Sequence, residues 1–323
     1  MRSLTSSDIK QKARELGFDL CGVAPAEELP ELNFFQNWLA RGYAGEMAYL
    51  HRSAEQRADV RRVLPSARSV IVTGTIYNTA VPYSIERADP GRAEIARYAW
   101  GDDYHDVIGA RLDRLLAWMQ TRSDVPFEAR RYVDTGPVQE RVYARHAGLG
   151  WIGKNTCVIN ADAGSWIFLS EIICSLPLEV DEPALDLCGE CRLCLEACPT
   201  RALVAPGVLD STRCISYLTI EQRGPIPAEL APEVGSHVYG CDVCQEVCPW
   251  NQVAPRSSDP AWQPRAAWAD AGVATLAEMS DDGLREAMRG SAMKRTKVAG
   301  LRRNLDVALA NAQSKSAPGP GDT

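Results

Sequence analysis

Cys188-Gly-Glu-Cys191-Arg-Leu-Cys194-Leu-Glu-Ala-Cys198-Pro199, answered further along by Cys241-Asp-Val-Cys244-Gln-Glu-Val-Cys248-Pro249, sets eight-cysteine chemistry at the centre of this chain. The first run has the x2-x2-x3-C-P cadence that seats thiolates around four-iron, four-sulfur cubes. The second run lacks its leading cysteine, since Val238 stands in that slot, and Cys214 between the runs can supply the missing thiolate. In two-cluster arrangements the last cysteine of each run crosses to the other cluster. One [4Fe–4S] cluster is then expected on Cys188, Cys191, Cys194 and Cys248, and the other on Cys198, Cys214, Cys241 and Cys244. CxxC pairs also build zinc knuckles, but zinc rarely needs this cadence twice. The spacing predicts a chain that moves single electrons.

Working outward, 323 residues suggest about two domains. Hydrophobic residues at 46% and charged residues at 24% leave ample material for a globular core. No apolar run approaches the ~20 residues of a membrane-spanning helix. The opening Met1-Arg-Ser-Leu-Thr5 and the residues after it have neither an apolar export segment nor a twin-arginine pair, which predicts a cytoplasmic protein away from membranes. In a reducing compartment, eleven cysteines point to metal ligation rather than disulfides. Cys21, Cys157 and Cys174, outside the cluster sets, read as small buried hydrophobes. The net charge of −7 argues against general affinity for nucleic acid. Between Arg289 and Arg303, however, Arg289, Lys294, Arg295, Lys297, Arg302 and Arg303 occur with no acidic residue among them. A solvated helix face and a phosphate-binding patch both explain that run.

The pattern ahead of the cysteines is mixed. A helix is expected over residues 5–17, with Thr5 and Asp8 as a capping box. The β-branched run Ser69–Tyr77 reads as a buried strand. An amphipathic helix follows from Val107 to Arg122, then a strand over Phe127–Val133, a helix over Val138–Ala147, and strands over Thr156–Ile159 and Trp166–Cys174. This predicts an α/β (α+β) domain over residues 1–178, a cysteine module over 179–255, and a helical segment over 256–323 whose tail from Ser314 is expected to be disordered.

Three motifs fail on inspection. Gly148-x-Gly150-x-x-Gly153 matches a dinucleotide turn, but a helix precedes it and a strand follows, the reverse of what pyrophosphate binding needs. The same glycines with Lys154 approach a P-loop, but Asn155 replaces the hydroxyl that would bind Mg²⁺. Asp103-x-His105 begins the D-x-H-x-x-G motif of histidine-ligated corrin proteins, but Ile108 fills the glycine slot.

Several segments in order carry a more specific signal. They are Arg97-Tyr-Ala-Trp-Gly-Asp-Asp-Tyr-His105, Val133-Asp-Thr-Gly-Pro-Val-Gln-Glu140 and Gly148-Leu-Gly-Trp-Ile-Gly-Lys-Asn155. Cys214-Ile-Ser-Tyr-Leu-Thr-Ile-Glu221, Arg223-Gly-Pro-Ile-Pro227 and Gly240-Cys-Asp-Val-Cys-Gln-Glu-Val-Cys-Pro-Trp-Asn251 follow. Together, to about Asn311, they make the chain resemble the epoxyqueuosine reductase family. The resemblance implies a nitroreductase-like cobalamin-binding domain, a ferredoxin-like domain with two [4Fe–4S] clusters, and a C-terminal helical segment. It also implies cob(II)alamin as cofactor, tRNA carrying epoxyqueuosine as substrate, an external electron donor and a monomeric state. The implied reaction reduces an epoxide at the tRNA wobble position to an alkene.

By the same resemblance Asp134 is the proton donor and a cofactor contact. A carboxyl enclosed beside a corrin is expected to have a raised pKa. Arg57, Arg97, Val158, Ser170, Ser216 and Asp242 are the further implied corrin contacts. Arg223, Lys294, Arg295, Lys297, Arg302 and Arg303 are expected to meet tRNA phosphates. Two other readings remain at this level: a plain electron-transfer subunit without a corrin, and a reductive dehalogenase, which would normally carry an export signal.

Overall fold

The structure, a computed structural model, describes residues 4–87, 89 and 91–316. Helix α1 (Ser6–Glu15) opens on the expected capping box. The Asp8 amide donates to Thr5 Oγ1 at 3.2 Å and the Thr5 amide donates to Asp8 Oδ2 at 3.1 Å. Strands β1 (Leu20–Pro25) and β2 (Ser69–Ile76), helix α2 (Tyr104–Arg122), strand β3 (Ala129–Tyr132), helix α3 (Glu140–His146) and strand β4 (Ile167–Cys174) complete the frame. The four strands form one antiparallel sheet in the order β1-β2-β4-β3. Strand β2 is central, and its register pairs Ser69 with Cys174, Ile71 with Ile172 and Thr73 with Ser170.

Side chains of a strand alternate between faces, and here both faces are covered. Val23, Ile71 and Ile172 pack with Ile9 and Ala13 of α1 and with Ile108, Leu112, Leu115 and Met119 of α2. Ala24, Val70, Val72 and Ile173 face the other way, onto Val142, Tyr143 and Ala144 of α3 and onto Leu29, Leu32 and Val60. Burial on both sides explains why β2 is a continuous apolar run rather than an alternating one. Gly22 lets α3 close on β1, because a Cβ there would lie 1.9 Å from the Ala147 carbonyl oxygen.

The C-terminal part does not stand apart. Trp262, Trp268, Leu276, Leu284, Met288, Met293, Leu301 and Leu305 belong to the same core as α1 and α2. The short strand His237–Tyr239 runs parallel to Glu94–Ile95, tying the chain after the first cysteine run to the α/β frame. Helix α4 (Lys297–Ser316) corrects one expectation, since it continues through the start of the tail expected to be disordered. Residues 317–323 lie outside the described residues. The strand expected over Thr156–Ile159 shrinks to Val158–Ile159, paired with Trp151–Ile152. Thr156 itself has φ +67, which breaks the extended run. Among the described residues no helix is long and apolar enough to cross a membrane.

Candidate active site and cysteine centres

Between β3 and α3 the chain makes a tight turn at Asp134, whose φ of +57 is left-handed. Such a backbone costs a non-glycine residue about 1–2 kcal/mol, with aspartate among the more tolerant. Its neighbours hold it there. The Thr135 amide donates to the Val133 carbonyl at 2.6 Å. Arg57 donates to the carbonyls of Gly136 at 2.9 Å and Val138 at 2.7 Å. Gly136 packs so tightly on the Tyr132 ring that a Cβ would fall 2.4 Å from it. Asp134 does not cap α3, since that helix begins at Glu140 with Gln139 as its N-cap residue. Its side chain is 59% exposed at the surface of the turn.

His105 Nε2 lies 3.5 Å from Asp134 Oδ2. The other ring nitrogen, Nδ1, is 2.7 Å from Asp103 Oδ1, and Lys294 Nζ is 2.6 Å from Asp103 Oδ2. Burial opposes charge on His105, but the bonds and charges of Asp103 and Asp134 outweigh it and push its pKa up to about 9. Asp103 is buried yet held well below the usual carboxylate range by His105 and Lys294. At Asp134, burial pushes upward, but the His105 bond and charge and the Tyr104 hydroxyl pull harder, so its pKa is lowered. Access to water weakens the upward push further. The protein's own groups thus favour the Asp134 carboxylate and a charged His105, while the raised pKa expected of Asp134 refers to the carboxyl enclosed beside a corrin.

Two glutamates that sequence reading missed complete the cluster. Glu171 on β4 is fully buried, and neither of its carboxyl oxygens has a hydrogen-bond donor. Glu140 accepts the Asp134 backbone N–H and faces Glu171. Burial and the Asp134 charge push Glu140 up to about 8. Glu171 is pushed well above the carboxylate range, by burial and then by Glu140. Two facing carboxyls bond only when one carries a proton. A charged residue inside the apolar run Ile167–Cys174 was the available sequence signal.

The cysteines gather across the two runs. Cys194 feels the charges of Cys188, Cys248 and Cys191. Cys214 feels Cys241 and Cys198, and Cys244 feels Cys241 and Cys214. Burial pushes the Cys194 and Cys214 thiols up to about 11. Thiolates there need compensating cations, as iron would provide. Trp151 Nε1 donates to Cys188 Sγ at 3.4 Å and the Ala202 amide donates to Cys198 Sγ at 3.3 Å, bonds that suit cluster-ligating sulfurs. Among the described residues no three His, Cys, Asp or Glu converge on a point for one ion. A cube does not require that, because each thiolate takes its own iron. Cys157 feels the charges of Arg141, Asp242, Cys248 and Cys214, and Arg141 also acts on Asp134.

The other expected site residues divide. Ser216 and Asp242 adjoin the second cysteine set in sequence, and buried Val158 follows Cys157. Asp242 accepts the Arg97 amide at 2.7 Å, and burial raises its pKa to about 7. The Arg97 guanidinium is buried against Tyr83, Trp100 and Trp166, donating to the Val81 and Pro82 carbonyls. Ser170 is bonded to Thr73 at 2.6 Å. Arg97 and Ser170 are thus buried and engaged with groups of the protein itself. In the basic run, Arg303 donates to the carbonyls of Leu218, Gln222 and Gly224, and Arg302 to those of Ala277 and Met279. Arg289, Lys294, Arg295 and Lys297 of that run are exposed, as is Arg223 outside it, with Arg295 paired to Glu221 at 2.8 Å.

The family model described as epoxyqueuosine reductase QueG, DUF1730, matches residues 57–135, and the 4Fe-4S double cluster binding domain matches residues 187–251. The epoxyqueuosine reductase of Gloeobacter violaceus is 45% identical over 312 residues, covering 94% of this chain and 96% of that one. An epoxyqueuosine reductase crystallised with an epoxyqueuosine-modified tRNA-Tyr stem loop superposes with a TM-score of 0.86 at 30% identity, over 96% of this chain and 82% of that one. The Bacillus subtilis epoxyqueuosine reductase, in a state with its catalytic aspartate loop swung out of the active site, gives 0.85 at 29% identity, over 96% and 82%.

Proposed function

The chain belongs to the epoxyqueuosine reductase family, and on that premise we propose that it uses cobalamin and two [4Fe–4S] clusters to reduce epoxyqueuosine to queuosine in tRNA anticodons. The observation that carries this reading is a carboxylate–imidazole pair, Asp134 with His105 Nε2 at 3.5 Å, in a chain whose eight cluster-spaced cysteines lie in the stretch that matches the double-cluster binding domain.

Removing the epoxide oxygen as water and leaving an alkene takes two electrons and two protons. Cys188, Cys191, Cys194 and Cys248, and Cys198, Cys214, Cys241 and Cys244, would hold clusters that supply one-electron carriers for an external donor. Cobalamin, when bound and reduced to Co(I), supplies the nucleophile that opens the epoxide. Ser216, Asp242 and Val158 would hold it beside the second cysteine set, with Arg57, Arg97 and Ser170 shaping the surrounding wall. The unpartnered Glu140 Oε1 close to an exposed Asp134 suits a polar ligand at this place. Asp134 protonates the oxygen as it leaves carbon, because an alkoxide shielded from water is very unfavourable. Arg57 keeps the Asp134 turn in place through its two carbonyl bonds. Lys294, Arg295, Lys297 and Arg223 would contact tRNA phosphates and fix register while the wobble base is extruded. Arg302 and Arg303 support that surface from below. On this reading residues 1–178 would carry the corrin and 179–255 the clusters, with the C-terminal helices among residues 256–316 packed into the core of the first part.

Anaerobic incubation of the reconstituted protein with cobalamin, a reductant and epoxyqueuosine-containing tRNA tests this, read by nucleoside mass spectrometry. Conversion to queuosine is expected. Corrin and iron bound in stoichiometric amounts without conversion would overturn it.

A further inference from the structure

We propose that His105 is the positioning residue that stores the proton Asp134 delivers and reloads the aspartate between the two protonations the reaction consumes. This rests on the assignment of Asp134 as proton donor. The Asp103-x-His105 motif, which fails as a corrin axial ligand pattern, finds its use here.

Four contacts define the device. Asp103 Oδ1 sits 2.7 Å from Nδ1 and fixes that nitrogen as a donor, leaving Nε2 directed at Asp134 Oδ2 at 3.5 Å. The hydrogen bond made by one ring nitrogen sets the protonation of the other. Asp103 is 1% exposed and is braced by Lys294 at 2.6 Å, so it cannot swing away. The Tyr104 ring stacks on the imidazole at 4.1 Å, which restricts its rotation. His105 Nε2 has no other hydrogen-bond partner among the described residues. A gap of 3.5 Å before substrate binds is normal for groups that tighten in the reacting complex.

The transfer balances. As the C–O bond breaks, the substrate oxygen takes a proton from Asp134 Oδ2, and Asp134 takes one from His105 Nε2. An O–H bond forms and an N–H bond breaks, and no electron moves in this step. A carboxylate with a lowered pKa holds no proton of its own at neutral pH, so a single aspartate cannot serve both protonations. The 59% exposure of Asp134 lets water recharge the pair before the second. The groups acting on the pair are Asp103 and Lys294 at His105, and the Tyr104 hydroxyl, Arg141, Arg57, Glu140 and Glu171 around Asp134.

The test has two readouts. The chain has four histidines, so ring-¹⁵N-histidine spectra of the cluster-loaded, corrin-free protein can follow His105, identified by its loss in His105→Gln. It should titrate near pH 9 in the parent and at a lower pH in Asp134→Asn, where only Asp103 still raises it. In single turnover on an epoxyqueuosine stem loop, the parent rate should fall as pH rises through about 9, where the imidazolium loses its proton. Glutamine can bond both neighbours but stores no proton. His105→Gln should therefore be slower by roughly 10²-fold at neutral pH, recover as pH drops toward the carboxylate range, and keep its KM. An ordinary titration for His105, or a His105→Gln rate and alkaline limb equal to the parent's, would overturn the proposal. If Asp134→Asn alone turns over at the parent rate, it is the assignment of Asp134 that fails.

Discussion

The proposed proton donor, Asp134, is a carboxylate whose surroundings favour the form that lacks a proton. His105 keeps Asp134 ionised at rest, and the left-handed backbone at Asp134 fixes where its oxygens point. Asn tolerates the same backbone conformation and accepts a similar bond, so Asp134→Asn should fold and load its clusters normally. Its turnover should nevertheless drop by about 10²–10⁴-fold, the usual loss of a general acid, as measured by single-turnover kinetics on modified stem loop. Asp134 was legible in the sequence through its motif. His105 was legible only as a failed motif, because nothing in the spacing reports that α2 and the turn after β3 bring positions 105 and 134 together. Glu140 and Glu171 were missed for the same reason, since their pairing depends on α3 lying across β4.

At the scale of elements, the sequence marked the long strands and helices well, because β-branched runs and helical apolar periods are local signals. It marked the ends less well. Helix α2 begins at Tyr104 rather than Val107, since Asp103 caps it through the His105 amide at 3.1 Å. Strand β1 went unread, because Gly22 and the short Leu20–Pro25 run carry little β signal. The cysteine runs show how two short segments share their ligands. If Cys248 and Cys198 exchange partners, Cys198→Ala should damage the same cluster as Cys241→Ala, although it sits in the first run. Electron paramagnetic resonance of the reduced variants checks this. Cys198→Ala and Cys188→Ala losing the same signal would contradict the exchange.

Over the whole molecule, one hydrophobic core joins α1 and α2 to the C-terminal helices. This continuity could not be read from composition, because residues 256–296 are rich in Pro, Trp and short turns. The basic run changes character in three dimensions. Arg303 holds three backbone carbonyls, so Arg303→Gln should lower Tm. Arg223→Gln, Arg295→Gln and Lys297→Gln together should weaken tRNA binding. Its salt dependence should flatten by about 0.7–0.9 in log–log slope for each phosphate no longer neutralised. Filter-binding titrations at several salt concentrations read both effects. An unchanged slope would make this surface a solvated face.

The most direct measurement follows the oxygen itself. Purified protein reconstituted with iron, sulfide and cobalamin is given a measured excess of reductant and epoxyqueuosine tRNA without air, and the digested nucleosides are weighed. The modified nucleoside should lose one oxygen, with two electrons consumed for each oxygen removed, and only when corrin and clusters are both present. Retention of that oxygen by fully loaded protein, or its removal without the corrin, would contradict the assigned chemistry.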